Sequence, residues 1–537
     1  MFFSTGLFLT GILQTYHLRS LFWNLRYSEY PMKGASQMAS MRALCIAIII
    51  LAFMPLSHST VSATERPNVM VILCDDLGFS DIGCYGSEIP TPNLDRLAAN
   101  GLRFSQFYNA AKCESTRSTL LSGIYHNEAS IAKLLHSRTI AETMQTAGYH
   151  TMMSGKWHMN GQPTERGFER YFGHLSGATN FFTGDNTFYL DGKSYEIPKK
   201  FYTTDAITDF AIKFIGERPV DKPFFFYLAY NAPHYPLQAP EADVRKHLGN
   251  YKLGWDVLRK ARYAKQQELK LFPKSYELSP RPSEVQAWDS LSEADKKWED
   301  IRMATFAAMV DIMDRNIGRL VAYLKEQGQL DNTLIMFLSD NGGCPFERTT
   351  GKEFMPWDPR SHWTYDEGWA HAANTPFRWY KQNQHEGGIS TPMIAHWPKG
   401  ITAKLGSVTQ QTAHIVDIYA TAMDLAGGSR PDTFGGEKLK PLRGLSLNPI
   451  FNGETRKPHE ALFFDFANKN HALRMGQWKL VAVNGGAWEL YDMETDRSEL
   501  HDLSKQMPER VKEMSIKWKA WAAQGGVASG MKKVDNN

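Results

Sequence analysis

The chain has 537 residues, too many for one compact core, so one large domain with a smaller companion is the expected organisation. Apolar residues make up 42%, aromatics 12% and charged residues 22%, which excludes a disordered or collagen-like chain. The net charge of +3 is carried by residues 1–63, where Arg19, Arg26, Lys33 and Arg42 face Glu29 alone; the rest is balanced, which excludes a broad nucleic-acid-binding surface.

The segment from Met41 has the form of a secretory signal: Arg42, an apolar run from Ala43 to Leu56, then the small residues Val61-Ser62-Ala63. That run covers roughly 21 Å as a helix, short of the ~30 Å of a bilayer core. A cleaved signal is therefore expected rather than a stable membrane span. Met41 reads as the true start, with a mature chain from near Thr64 in the periplasm or outside the cell. Beyond Cys45 only Cys74, Cys84, Cys113 and Cys344 remain, too few for a disulfide scaffold and without C-x-x-C metal spacing; one bridge among them is allowed.

Past Thr64, apolar runs alternate with helical patterns, as in an α/β fold with a large, mostly parallel sheet. Asn68 to Cys74 is a buried-strand pattern that ends at Asp75-Asp76. The Ser/Thr residues before Leu120-Leu121 open a helix and put Cys113 at its positive end, beside Arg117. Tyr149 to Ser154 ends at Gly155-Lys156-Trp157-His158, and Pro223 to Tyr230 ends at Asn231-Ala232-Pro233-His234. From about 241 to 300 the character changes. Lys252 to Phe272 is charged and helix-forming, three prolines follow by Pro282, and the charges read as the solvated face of an insertion, a lid or a substrate wall. Ala307 to Leu324 has a 3.6-residue apolar period, a core-facing helix. Thr333 to Ser339 ends at Asp340-Asn341-Gly342-Gly343. A Gly- and Pro-rich stretch from Gly427 to Gly436 divides a catalytic region, 64–430, from a small α+β region, 431–537. The latter holds short strands near Ala461, Ala472, Trp478 and Trp488 and a helix from Pro508 to Ala522.

Each of these strand ends has an ordinary reading when taken alone. Asp-Asp and Asp-Asn-Gly suit turns, Lys156 could snorkel, and His158 or His234 could be a satisfied histidine. Four buried strands that each run straight into chemistry-bearing residues point instead to one site at the carboxyl edge of the sheet.

The stretch Cys113-Glu114-Ser115-Thr116-Arg117, followed by a helix and Ser122-Gly123, resembles the signature of the sulfatases of the alkaline phosphatase superfamily. The likeness covers the mature chain in order: Asp75-Asp76, Cys113 to Arg117, Gly155 to His158, Ala232 to His234, Asp340 to Gly342, Lys381 with Glu386-Gly387-Gly388, and Trp488 to Asp492. Asn374 to Arg378 and the insertion look most like bacterial arylsulfatases. The resemblance implies an alkaline-phosphatase-like fold and hydrolysis of aryl or carbohydrate sulfate esters. It also implies that a formylglycine-generating enzyme converts Cys113 to formylglycine, whose hydrated aldehyde attacks sulfur. Asp75, Asp76, Asp340, Asn341 and residue 113 would ligate a hard divalent cation, Ca2+ or alternatively Mg2+. Arg117 and Lys156 would hold the nucleophile and the sulfate oxygens, Lys381 the sulfate, His234 would protonate the leaving group, and His158 would take a proton from the second hydroxyl. The sequence departs from the family at Ser115, where proline or alanine is usual. Two other readings stay open: a phosphonate monoester hydrolase or phosphodiesterase of the same superfamily, and a non-catalytic binder of sulfated glycans in which Cys113 stays a thiol.

Overall fold

Asn68–Cys74 (β1) is buried along its length, and its side chains divide by alternation between two cores. Met70, Ile72 and Cys74 pack on one face and Val69, Val71 and Leu73 on the other, as in a strand covered on both sides. The same split holds in Phe224–Ala229 and Thr333–Ser339, so one sheet carries two hydrophobic layers. The computed structural model describes residues 66–525 apart from 274–275; the signal-like segment up to Ala63 lies outside the described residues.

In chain order the strands of this sheet are β1, Leu102–Phe104 (β2), His150–Gly155 (β3), Arg170–His174 (β4), Phe188–Leu190 (β5), Lys193–Ser194 (β6), Phe224–Ala229 (β7), Thr333–Ser339 (β8), Met393–His396 (β9) and Ser407–Thr409 (β10). Their spatial order is β10-β2-β9-β8-β1-β7-β3-β4-β5-β6. The four runs that end in charged or imidazole residues are thus the central neighbours β8-β1-β7-β3, all parallel to one another. Antiparallel pairs occur toward the two edges. This is the expected mixed, mostly parallel α/β sheet. In register, Cys74 faces Ser339, and Ala229 faces both Leu73 and Gly155, so the four strands stop level with one another.

Helices cover both faces. On one, Glu293–Glu326 buries Met309, Ile312, Met313, Ile317, Leu320 and Leu324, the expected stripe; the helix starts well before Ala307 because Ser292 caps it, its hydroxyl accepting the Asp295 N–H. The other face receives Leu120 and Leu121 of Cys113–Ser122 (α1) and Ile418, Tyr419 and Ala422 of Val416–Leu425. Among the described residues no helix is long and apolar enough to cross a membrane, and the four cysteines are free.

The reading of 252–272 as a solvated face holds for Lys252, Lys260, Lys265, Glu268 and Lys270 and is corrected for two arginines of Gly254–Glu268 (α2). Trp255, Arg259, Arg262 and Gln266 lie on one buried stripe. Arg262 pairs with Asp81 at 2.6 Å and reaches both oxygens of Glu88 at 2.8 and 2.9 Å. Arg259 donates to the carbonyls of Pro376 and Phe377 at 3.0 and 2.9 Å. Charge in the sequence does not report exposure when the charge has a buried partner. The helix is a clamp on the loops that follow β1 and precede Lys381.

Leu462–Phe466, Asn470–Met475, Trp478–Ala482 and Glu489–Asp492 form a separate antiparallel sheet in that order, and Pro508–Gly525 packs Met514, Trp518 and Trp521 on it. Lys479, from its third strand, reaches Glu386 Oε1 at 2.8 Å, and Arg497 Nε reaches Glu386 Oε2 at 3.1 Å; all three side chains are fully buried. The C-terminal sheet therefore holds the loop that carries Lys381.

Candidate active site

The carboxyl edge assembles by backbone continuation of the sheet. The Asp340 N–H donates to Cys74 O at 3.1 Å, the Lys156 N–H to Ala229 O at 2.8 Å, and the Asp75 N–H to Ala232 O at 3.1 Å. Gly155 makes the second of these geometries available. Its φ is +114°, and a Cβ there would lie 1.9 Å from Ala229 O. Trp157, fully buried against Phe168, fixes the residues on either side of it, Lys156 and His158.

All the residues picked from the sequence meet here. Lys156 ion-pairs with Asp75, and Lys381 with Asp76. Arg117 lies between carboxylates, 2.9 Å from Asp340 Oδ2 and 3.4 Å from Asp75 Oδ2. Asn341 Nδ2 donates to Asp76 Oδ1 at 2.6 Å, and His234 Nε2 stands 3.5 Å from Asp76 Oδ2. Cys113 is the first residue of α1, after an extended Lys112 (φ −150°), so its side chain stands at the positive helix end within the fields of Lys156, Lys381, Asp75 and Asp340. Asp75, Arg117, Lys156, Asp340 and Asn341 are wholly buried, whereas Cys113, His234 and Lys381 keep 4–6% of their surface, which marks the side open to a substrate.

Two site residues hold left-handed backbone that side-chain-bearing residues seldom adopt, Asp76 at φ +64° and His158 at φ +56°. Asp76 is kept there by its N–H to Asp340 Oδ1 at 3.3 Å and by the next N–H, of Leu77, to Ser339 Oγ at 3.1 Å. The His158 ring is accommodated by Gly177, where a Cβ would come within 2.7 Å of Nε2.

The electrostatics follow from burial and pairing. Burial raises the Asp75 carboxyl, but Lys156, His234, Arg117 and Lys381 outweigh it and hold the group well below the usual range; Asp76 is lowered in the same way, chiefly by Lys381. Burial and Asp75 push Asp340 up to about 7. Burial, with Lys156 and Arg117 adding to it, drives His158 far down, so the ring is neutral. Burial brings His234 to about 4. Its Nδ1 donates to the Tyr235 carbonyl at 2.7 Å, which leaves Nε2 facing the site.

The donor set suits a hard cation. Three carboxylates and one amide converge, and Asp75 Oδ1, Asp76 Oδ2 and Asn341 Oδ1 are buried with no hydrogen-bond partner. Ligand atoms of Asp75, Asp76 and His234 lie within 4.8 Å of one another, so His234 stands closer to this cluster than its assignment to the leaving group implied. Sequence reading missed two supports. Thr116 Oγ1 donates to Asp340 O at 2.7 Å and accepts the Ala110 N–H at 2.9 Å, tying α1 to the end of β8. Tyr227 Oη accepts from Arg117 at 3.4 Å. Thr116 sits inside the Cys113–Arg117 signature and could have been found there; Tyr227 reads only as a core aromatic.

A buried oxygen cluster, three fixed cations and a side chain at a helix N-terminus define a site for hydrolysing esters of tetrahedral oxyanions. The profile of the family described as Sulfatase matches residues 67–429, and that described as N-sulphoglucosamine sulphohydrolase, C-terminal, matches 376–522. An uncharacterized sulfatase of Schizosaccharomyces pombe is 33% identical over 87% of this chain and 95% of its own. An arylsulfatase of Klebsiella aerogenes is 32% identical over 72% of this chain and 92% of its own. The solved structure of Ps i-CgsB in complex with k-i-k-neocarrahexaose superposes with a TM-score of 0.64 at 27% identity, covering 87% of this chain and 95% of that one. The chain belongs to the sulfatase family. It is a sulfatase, and its reaction is sulfate ester hydrolysis.

Proposed function

We propose that the protein hydrolyses aryl or carbohydrate sulfate esters with formylglycine, formed from Cys113, as nucleophile and with Ca2+ (or Mg2+) bound by Asp75, Asp76, Asp340, Asn341 and residue 113. The observation that carries the reading is the meeting of three unpartnered buried oxygens with Arg117, Lys156 and Lys381 around residue 113. The thiol itself is poorly suited to attack. Burial pushes it up despite Lys156 and Lys381, so it stays protonated at neutral pH. A hydrated aldehyde at the same position would supply a hydroxyl for attack on sulfur and a second one through which sulfate departs. The cation would stabilise the deprotonated hydroxyl and the charge on the sulfuryl oxygens.

The chain's own residues do the rest. Arg117 and Lys156 orient residue 113 and, with Lys381, attract the sulfate oxygens. His158, neutral, takes the proton from the second hydroxyl as sulfate leaves. His234 delivers a proton to the leaving oxygen from Nε2; the negative charge of a bound sulfate favours the imidazolium that this requires. Cys113 and Ser115 are each only 4% exposed, so a formylglycine-generating enzyme would act before this segment folds. The signal-like segment supports export to the periplasm or outside the cell.

Two measurements test the reading. The peptide containing residue 113, from protein made in a host with the maturation machinery, should be lighter than the thiol form by about 18 Da, the difference between a thiol and an aldehyde. Turnover of 4-nitrophenyl sulfate should exceed that of phenyl phosphonate. An unmodified thiol in active protein, or preference for the phosphonate, would overturn the mechanism or the substrate class respectively. His234→Ala should lower kcat by roughly 10²–10⁴-fold on alkyl sulfates, whose leaving groups need a proton, and far less on 4-nitrophenyl sulfate. Equal losses on both would remove His234 from the acid role.

A further inference from the structure

Arg348 lies outside the residues that meet at the sheet edge, and no carboxylate among the described residues pairs with its guanidinium. It is held by rings instead, 4.8 Å from the centroid of Tyr235 and 5.1 Å from that of Phe346. Its loop is pinned by its own N–H, which donates to Thr364 Oγ1 at 3.0 Å. Other exposed arginines nearby differ. Arg360 stacks on Phe354 and Arg245 lies over Trp357, but Arg360 pairs with Asp358 and Arg245 with Glu241.

The position of Arg348 relates it to the chemistry. The Tyr235 ring is 4.8 Å from the His234 ring, so Arg348, Tyr235 and His234 form a row that ends at the leaving-group side of the proposed reaction. Arg348 also lines a cavity of about 460 Å3 with Glu347, Asp366, Glu367 and Gln382, the last adjacent in sequence to Lys381. Glu347 and Asp366 both ion-pair with the buried Arg302, so neither takes up Arg348, which is the one cation of this lining, with Glu367 the remaining acid.

Resting on the sulfatase reading above, we infer that Arg348 binds a second anionic group carried by the leaving alcohol, so that the preferred substrates are sulfate esters of sugars bearing another sulfate or a carboxylate. A planar guanidinium grips either oxyanion through two parallel hydrogen bonds. Stacking between two rings fixes its orientation beforehand, which lowers the entropy lost on binding. Simple aryl sulfates have nothing to offer it.

The test uses the mature enzyme and its Arg348→Ala and Arg348→Lys variants. The substrates are 4-nitrophenyl sulfate, glucosamine 6-sulfate, glucosamine-2-N,6-O-disulfate and a sulfated glucuronic acid. Arg348→Ala should lower kcat/KM on at least one of the two doubly charged substrates by roughly 10- to 100-fold, through KM, and leave both singly charged ones within about twofold. The arm affected tells whether sulfate or carboxylate is read, and Arg348→Lys should recover part of the loss. Equal losses on all four substrates, or no loss on either doubly charged one, would overturn the inference while the sulfatase reading stands. Failure of the wild-type enzyme on every sulfate ester would instead overturn that reading, and this one with it.

Discussion

Cys113→Ala removes sulfate ester turnover, by at least about 10⁴-fold, while the protein stays folded. The size follows from the architecture. Arg117, Lys156, Lys381 and the oxygen cluster are arranged around charge that develops only when residue 113 attacks, so without that residue they bind a sulfate with nothing to react with it. The fold should be little affected. Alanine suits the first turn of α1, and the side chain lost is one sulfur atom at a position that already retains 4% exposure. Steady-state rates on 4-nitrophenyl sulfate, with urea unfolding as the control for folding, check both parts. Residual activity within tenfold of wild type would show that residue 113 is not the nucleophile. Asp340→Ala should be as damaging, since Asp340 both positions Arg117 at 2.9 Å and belongs to the oxygen cluster.

Glu386→Ala destabilises the protein by about 3–5 kcal/mol at neutral pH, because it leaves Lys479 and Arg497 buried without this carboxylate. Tyr108 would also lose an acceptor at 2.9 Å. Burial alone would raise Glu386, but Lys479, Arg497 and Arg474 hold it at about 2, below the ordinary glutamate value near 4.3. A depressed folded value means that the wild-type contribution is fully present above about pH 4.5 and fades as pH falls toward 2. The urea midpoints of variant and wild type should therefore differ widely at pH 7 and converge in acid. Coincident midpoints at pH 7 would show that the C-terminal sheet does not depend on this cluster.

Much of the catalytic edge was legible before any coordinates. The runs that became β1, β7 and β8 are nearly continuous apolar stretches, as strands buried on both faces commonly are, whereas β3 is apolar only at Met152 and Met153. Each ends abruptly in Asp, Lys, His or Asn, residues whose burial is costly without partners, so their recurrence at strand ends signalled a shared site. The helix at Cys113 was announced by the Ser/Thr residues before its leucines. Less legible were the charges that bind the fold internally. Arg259 and Arg262 read as solvent-facing because their partners, the carbonyls near Pro376 and the carboxylates of Asp81 and Glu88, are distant in sequence. For the same reason Glu386 could be noted as part of a pattern but not as the anchor for Lys479 and Arg497.

The sequence by itself determined the alternation of strands and helices, the residues that carry chemistry and the family they belong to, because these depend on local pattern and residue type. Only the tertiary structure decided which of those residues are neighbours, which oxygens are left unpartnered, and that Arg348 stands in a row with Tyr235 and His234. Strand order, register and buried ion pairing arise from contacts between segments hundreds of residues apart, and no local period in the chain encodes such distances.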